Sequence, residues 1–510
     1  MLKRIILRCD YFKGSGIGHI KRSSILASCL KKKGFKPILL IDENLSENKI
    51  LIDVEVQAIG LKNFNELNDA EYLIGFAKSN NSNIIICDSY RITNRWVSRI
   101  QKEGMKVILL EDSDSDSIAN LIINYTPSKN INSFSLKKNL LKGPKFFITD
   151  SKLSKSKEIY PKRIIAHAGG NGDYSRAKNI YKTLALISDK RSIKVDWICP
   201  NSVSKNSLKS ILNLNQNDKI IDWQRDSSSL WSEYQIVVGP ASTSVYEAII
   251  QGSLPISFSI SKTQSTQLKD WLTIGHSLHI SDNEKENPKF INSIFKLAIA
   301  NYKNLLMILE DASCDIDCNG VQRVVKAIEY MINSSNKHYD KLENKYLRKG
   351  VSKCTISDAE SFLQARNSKE VREISTDPNH IIDWPEHLKW WMNSKTDKYL
   401  FVGNSNKPEV YFWIKKWHIH KQNYLTAGWF PANNKTPFSS VLKILDWQIK
   451  YYSEKYKGYI WVATVKNNNK AAITINKRLG FVNASSKIYK ALPILFPGTN
   501  HQFTILEKEI

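Results

Sequence analysis

Short runs of β-branched and aliphatic residues alternate along the first two thirds of the chain with longer stretches in which apolar residues recur every three or four positions. Residues Lys3 to Cys9 form such a run. A glycine loop follows, then a helical pattern from Ile20 to Lys33 and a second run from Pro37 to Ile41, which together predict a βαβ opening. The runs at Asn83 to Cys87, Lys106 to Leu110 and Leu121 to Ile123 have the continuous apolar character of strands buried on both faces of a parallel sheet. One doubly wound domain is therefore expected over residues 1–155. The pattern restarts with Arg163 to Ala168 leading into a second glycine loop, then Ile193 to Cys199, Ile236 to Val238 before a turn, and Pro255 to Phe258. A helix from Asn319 to Ser334 closes this second domain of the same class, residues 156–335. Residues 336–350 are charged and rich in Lys and His, and read as a linker. From 351 to 510 the texture becomes α+β and holds most of the tryptophans, among them Trp384, Trp390, Trp391, Trp413, Trp417, Trp429, Trp447 and Trp461. Those aromatics read as core. The expected fold class is α/β, with two Rossmann-like domains followed by an α+β domain.

Composition narrows the function classes. Across 510 residues, 74 Lys and Arg against 49 Asp and Glu leave a formal charge of +25, which favours anionic partners without choosing among them. In a Lys- and Asn-rich chain, a solvated basic surface is the plainer reading and nucleic acid ranks behind it. The cysteines Cys9, Cys29, Cys87, Cys199, Cys314, Cys318 and Cys354 are scattered, unlike the framework of a small secreted domain. The near pair Cys314 and Cys318 lacks the second pair or spaced histidine of a zinc site. No apolar run reaches the roughly 18 residues that would span a bilayer, and the start MLKRIILRCDYF is too short in its apolar part for a signal peptide. A cytoplasmic protein with no membrane span is the expectation.

Candidate chemistry begins in the first loop, Gly14-Ser15-Gly16-Ile17-Gly18-His19, with Arg22 one turn into the next helix. Glycines let the backbone approach a ligand, and the N-terminus of the following helix offers free N–H groups to an anion. The spacing is not the G-x-G-x-x-G of dinucleotide binding. A histidine at the mouth of a strand-to-helix turn stands where open α/β sheets bind ligands, and its titration range suits a general base. A helix-capping histidine without chemistry is the alternative.

The company His19 keeps carries a resemblance. Ile6 to Asp10, Gly16 to His19, Arg22, Leu26-Ala27 with Gly34, Asp88-Ser89-Tyr90, Glu111-Asp112, Asn124, Gly143-Pro144-Lys145, Ala168-Gly169-Gly170, Gly239 to Ala248, Gly252, Pro255 and Gln264 occur in order over about residues 1 to 335. The series resembles the nucleotide-sugar hydrolases of pseudaminic acid biosynthesis, which cleave a UDP-linked diacetamido-trideoxy sugar to free sugar and UDP. That resemblance implies a GT-B arrangement of the two domains, with the nucleotide on the second and the sugar in the cleft. It also implies inverting hydrolysis without a cofactor, His19 aligning or deprotonating the water. Asp10 then orients His19 or holds a sugar hydroxyl, and an ordinary polar turn residue is the alternative. Gly16, Gly18 and Arg22 belong to the substrate loop. Gly169, Gly170 and Asn171 form a loop fit to cradle a diphosphate, although Asn171 stands where the family has serine. Ser242, Thr243 and Ser244 cap the helix that begins near Val245 or donate to phosphate oxygens, Glu247 accepts from ribose hydroxyls, and Gln264 lies beyond. Asp88 and Tyr90 line the sugar side or are plain structure.

The last domain resembles GNAT-type N-acetyltransferases, including those acting on amino sugars. Its closing segment runs Trp461-Val462-Ala463, Asn469, Ala472, Arg478 and Gly480-Phe481. The front half adds Ala365-Arg366-Asn367, Trp384 with His387, and Leu400-Phe401-Val402. The resemblance implies acetyl-CoA as cosubstrate, but two departures stand out. The turn that should hold the pyrophosphate reads Gly428-Trp429-Phe430-Pro431-Ala432-Asn433-Asn434-Lys435-Thr436-Pro437, without its glycines, and Asn476 replaces the tyrosine acid. An altered acetyltransferase, a sugar-binding domain and a structural partner all remain open. Three further readings apply to the whole chain: a GT-B glycosyltransferase with a UDP-sugar donor, an anionic-ligand or nucleic-acid binder without catalysis, and a regulatory relic.

Overall fold

The computed structural model describes residues 3–510 except 13–17, 44–53, 60–63, 113–115, 128–138, 152–159, 170–172, 191–192, 200–203, 213, 215–217, 223–228, 262–263, 266–267, 269, 272–277, 313–315, 334–349, 376, 394 and 404–406. Gly16, Gly170, Asn171, Cys314 and nearly all of the expected linker lie outside the described residues. The chain forms two compact units, Met1–Leu342 and Glu343–Ile510.

The first unit holds two parallel sheets. Strands β1 (Arg4–Cys9), β2 (Lys36–Ile41), β3 (Glu55–Ala58), β4 (Ile84–Asp88), β5 (Lys106–Glu111), β6 (Leu121–Asn124) and β7 (Leu140–Lys142) lie in the order β3-β2-β1-β4-β5-β6-β7. Helices α1 (Gly18–Lys32), α2 (Glu66–Ser79) and α3 (Asn94–Gln101) connect them. The apolar runs of the central strands are buried: Ile6, Ile85, Val107 and Ile122 meet Leu73, Trp96 and Ile100 in one core. Two charges are buried in this domain as a satisfied pair. Asp69 on α2 accepts from Arg8 Nε at 2.9 Å and from Trp96 Nε1 at 2.9 Å, so β1, α2 and α3 share one carboxylate.

The second sheet runs β10-β9-β8-β11-β12-β13, from β8 (Arg163–Ala166), β9 (Lys194–Cys199), β10 (Lys219–Asp222), β11 (Ile236–Pro240), β12 (Leu254–Phe258) and β13 (His279–Ile280). Its helices are α4 (Lys178–Lys190), α5 (Lys205–Leu212), α6 (Thr243–Ile250), α7 (Pro288–Ala300) and α8 (Tyr302–Ala312). The last helix of the unit, α9 (Gly320–Asn333), returns to the first sheet and packs on α1, β6 and the turn at Pro144–Phe146. This is the connectivity of a GT-B fold. The return is close: a Cβ on Gly320 would stand 2.0 Å from the Phe147 carbonyl oxygen, and Arg323 Nη1 donates to the Lys145 carbonyl at 2.9 Å. Backbone cannot yield as a side chain can, so Gly320→Ala is expected to cost about 2–3 kcal/mol, read as a lower calorimetric melting temperature. An unchanged melting temperature would contradict this packing.

The second unit is one mixed sheet, β14-β15-β16-β17-β18-β20-β19, built from β14 (Gly350–Lys353), β15 (Thr396–Val402), β16 (Pro408–Ile419), β17 (Gln422–Pro431), β18 (Ile460–Lys466), β19 (Val482–Asn483) and β20 (Phe503–Glu509). All neighbours are antiparallel except β17 and β18, whose parallel ladder covers only Tyr424–Thr426 against Ile460–Val462. Past that point each strand keeps a single partner, β17 with β16 and β18 with β20, so the sheet divides into a wedge. The helices are α10 (Ala359–Arg366), α11 (Lys369–Glu373), α12 (Trp384–Trp391), α13 (Phe438–Lys455), α14 (Lys470–Arg478) and α15 (Ser486–Leu495). Trp447 and Tyr452 of α13 pack with Tyr399, Phe412 and Trp461 of the sheet. Two parallel-sheet Rossmann-like domains followed by an α+β domain make up the fold, as the residue pattern predicts. No helix among the described residues is long and apolar enough to cross a membrane.

Candidate active site

Each parallel sheet has one place where its strand order reverses, and a crevice opens there beyond the carboxyl ends of the strands. In the first sheet it lies between β1 and β4, paired in register with Cys9 opposite Asp88. The first turn of α1 places His19 at that point, and β4 ends on Asp88. In the second sheet the reversal falls between β8 and β11, where the loop at Gly169 and the turn into α6 meet.

His19 is 8% exposed, and its Nδ1 lies 2.6 Å from Asp88 Oδ1. A carboxylate only accepts, so the Nδ1 proton points at Asp88 and the lone pair is left on Nε2. Nε2 makes no hydrogen bond to any described residue. Burial alone would raise the Asp88 carboxyl, but the Arg22 charge and its hydrogen bonds, with His19, outweigh burial and hold it below the usual range. Arg22 donates from Nε to Asp88 Oδ2 at 2.6 Å and from Nη2 to Asp88 Oδ1 at 2.5 Å, while Nη1 donates to the Tyr125 hydroxyl. The Tyr90 and His19 rings meet nearly at right angles, 4.6 Å between centroids, and the Tyr90 hydroxyl bonds Asp112.

Two expectations from the sequence change here. The carboxylate on His19 is Asp88, not Asp10. Asp10 is drawn aside by Arg91, which donates to Oδ1 from Nε at 3.1 Å and from Nη2 at 2.6 Å, while Oδ2 accepts from the Tyr90 N–H at 3.2 Å. Arg91 also reaches Asp42, which Arg8 holds at 2.7 Å, and its guanidinium lies 4.0 Å over the Phe64 ring. Asp10 thus anchors the 89–91 turn that brings Tyr90 over His19. Arg22, expected in the substrate loop, has its guanidinium buried and committed to Asp88 and Tyr125, so it supports the histidine instead of offering donors to phosphate. Gly18 opens α1, and a Cβ there would meet nothing within 4 Å.

Across the cleft, α6 begins with Thr243 and Ser244 already in its first turn. Ser242 occupies the capping position but makes no side-chain cap bond; its hydroxyl pairs with Ser244 Oγ at 2.9 Å. The helix also starts two residues earlier than expected. Glu247 is held on both oxygens, by Lys21 Nζ of α1 at 2.8 Å and by Trp231 Nε1 at 3.1 Å, so the carboxylate expected to meet a ribose bridges the two sheets in the unliganded chain. Gln264 accepts from the Ile260 N–H at 2.9 Å and stabilises its own turn.

Sequence reasoning passed over His167, two residues before the second glycine loop. The Gly169 N–H donates to its Nδ1 at 3.1 Å, leaving the proton on Nε2, which is buried and without a partner among the described residues. Burial pushes the imidazole down to about 4. Nε2 sits against the bare face of Gly239, where a Cβ would come within 2.1 Å, so these two residues interlock directly under the crevice. Gly169 itself has φ +73°, a conformation glycine adopts freely.

In the second unit, Asn469 caps α14 through Ala472 N at 3.0 Å, Arg478 is exposed in its last turn, and Asn476 Nδ2 donates to the Ala472 carbonyl at 2.8 Å. The 432–437 turn is pinned to β16: the Ala432 N–H and Thr436 Oγ1 both donate to the Glu409 carbonyl, at 2.9 and 2.7 Å.

No protein-family model and no curated protein matches the chain. Solved structures do. The crystal structure of MurG from Acinetobacter baumannii is similar with a TM-score of 0.49 at 14% identity, over 64% of this chain and 99% of that one. A S. aureus MnaA–UDP co-structure is similar with a TM-score of 0.48 at 13% identity, over 67% and 100%. A glycosyltransferase from Rickettsia africae ESF-5 gives 0.45 at 14%, over 65% and 100%.

Proposed function

We propose that the first unit hydrolyses a UDP-linked diacetamido-trideoxy sugar to free sugar and UDP, in nonulosonic acid or related surface-glycan biosynthesis. The observation that carries the reading is the His19–Asp88 pair at the reversal point of the first sheet, which leaves the lone pair on Nε2. The order of motifs over about residues 1 to 335 supports it. In this reading Nε2 takes a proton from water as the water oxygen bonds the anomeric carbon. The bond from that carbon to the UDP oxygen breaks, the anomeric centre inverts, and UDP leaves with the electron pair. Asp88 stabilises the imidazolium that forms. The N-terminus of α6, with Ser242, Thr243 and Ser244, and the Gly169 loop receive the diphosphate. Glu247 receives the ribose after exchanging Lys21 for sugar hydroxyls.

For the second unit we propose N-acetylation of an amino sugar with acetyl-CoA, the step that supplies an acetamido substrate to the first. The wedge between β17 and β18, followed by the 432–437 turn and α13, supports this reading, and Asn469 and Arg478 fall in its closing segment. The missing glycines and Asn476 mean that the cofactor would be held differently from the family pattern.

A single time course tests both units: purified full-length chain, a panel of UDP-amino sugars, no sugar acceptor, with and without acetyl-CoA. Equal release of UDP and free sugar from a diacetamido-trideoxy substrate is the expected result. Acetyl-CoA consumption on the mono-amino precursor is expected from the second unit. UDP binding without release, and turnover only once an acceptor alcohol is added, would replace hydrolysis by glycosyl transfer.

A further inference from the structure

The pair His19–Asp88 does not stand alone in its domain. Asp88 Oδ1 is shared, accepting from His19 Nδ1 and from Arg22 Nη2, so the angle at which Asp88 holds the imidazole depends on where Arg22 sits. Arg22 is buried and leans on Tyr125, by its bond to the hydroxyl and with its guanidinium 5.2 Å from the ring centre. Tyr125 follows β6 directly, in a turn fastened by Asn124 Oδ1, which accepts from Thr126 N at 2.9 Å and from Thr126 Oγ1 at 2.6 Å. Its carbonyl then accepts from the hydroxyl of Tyr246 at 2.8 Å. Tyr246 belongs to α6, one turn beyond Ser242, Thr243 and Ser244, and its ring is stacked on Phe147 at 4.2 Å and set edge-on to Trp271 at 4.6 Å. Every group in this series is buried.

We infer that Tyr246 is a positioning residue for His19, acting through Tyr125, Arg22 and Asp88, so that the seating of α6 against the first sheet sets the orientation of the imidazole. The consequence for catalysis rests on the reading of His19 as the general base; the mechanical link does not. A helix that grips diphosphate at its N-terminus is thereby tied to the base on the opposite sheet by consecutive polar contacts, each too well buried for water to replace. An aromatic ring without its hydroxyl would fill the same space at Tyr246 and leave the Tyr125 carbonyl without that donor.

The test uses Tyr246→Phe and Tyr125→Phe in the full-length chain labelled with ¹⁵N-histidine, with His19→Asn to assign the signal. The first readout, taken without any ligand, is the downfield proton resonance of Nδ1–H in the bond to Asp88. The second is the split of kcat against KM on the UDP-sugar that the wild-type chain turns over. The expected result is a shifted or broadened resonance in both variants, with kcat down roughly tenfold or more and KM held within about twofold. UDP affinity stays at the wild-type value. An unmoved resonance in Tyr246→Phe overturns the proposal, even where Tyr125→Phe responds. If no UDP-sugar is turned over by the wild-type chain but the resonance moves in both variants, the link stands and the hydrolase reading falls.

Discussion

His19→Asn is expected to lower turnover of the UDP-sugar by at least about 100-fold while UDP binds as tightly as before, the loss typical of a missing general base. Asparagine reproduces the Nδ1 side of the imidazole and so keeps a donor towards Asp88, but it has nothing in the place of Nε2. Asp88→Asn should lose a comparable factor for another reason. An amide in that position can donate to Nδ1, which moves the ring proton to Nε2 and removes the lone pair needed to take a proton from water. It also strips the buried Arg22 of its counter-charge, so its melting temperature should fall as well, unlike that of His19→Asn. Steady-state rates paired with calorimetric UDP titrations decide the matter. His19→Asn turning over at the wild-type rate would remove the histidine from the mechanism.

Acid is expected to weaken the first unit through His167. Its folded imidazole titrates at about 4 because burial disfavours the charged form, whereas an unfolded histidine titrates near 6.5. Between those values the unfolded chain binds more protons than the folded one, so stability rises with pH across the window and is lost as pH falls through it. The difference of about 2.5 units corresponds to about 3 kcal/mol, complete near pH 4 and absent above about pH 7. His387 does the same in the second unit, where burial, aided by the charge of Arg366, pushes its imidazole down to about 3. The two can be separated by calorimetry of the full-length chain between pH 7 and pH 4.5. His167→Asn keeps an acceptor for the Gly169 N–H and cannot titrate, so it should flatten the pH slope of one transition. His387→Gln keeps a donor for the Ala359 carbonyl, which Nε2 meets at 3.0 Å, and should flatten the other. Wild-type pH slopes in His167→Asn would show that its protonation is not what acid acts on.

Much of this architecture is legible in the residue pattern. The central strands of both parallel sheets fall where the apolar runs lie, because a strand covered on both faces must be apolar throughout. Strands β3, β7 and β10 escape the same reading: Glu55-Val-Gln-Ala and Lys219-Ile-Ile-Asp are short, half-exposed edge strands with a mixed pattern. The site was legible in its parts but not in its pairings. Gly18-His19 and the Ser242–Ser244 turn are recognisable from their neighbours in sequence, yet which aspartate serves His19 depends on register between β1 and β4. Asp10 is nearer in sequence, but Arg91, 81 positions away, claims it. Arg22 and Glu247 resemble ligand contacts in sequence, and only their packing reveals that each already has a partner. His167 gave no signal beyond its place beside the glycine loop, since burial and the absence of a Cβ on Gly239 are properties of the folded chain.

The return of α9 has a mechanical consequence. A body tethered at one point can swivel about any axis through it; tethered at two separated points, it can only rotate about the line that joins them. The second sheet is tethered once where the chain enters β8 and again where α9 lies back over α1 and β6. Relative travel of the two sheets is therefore that of a door on two hinges. Parts near the hinge line, such as the seam of Tyr125, Phe147 and Tyr246, would slide little during a swing. Glu247 follows Tyr246 in α6 and Lys21 precedes Arg22 in α1, so their ion pair would move little with that seam and fasten the two sheets beside the hinge line.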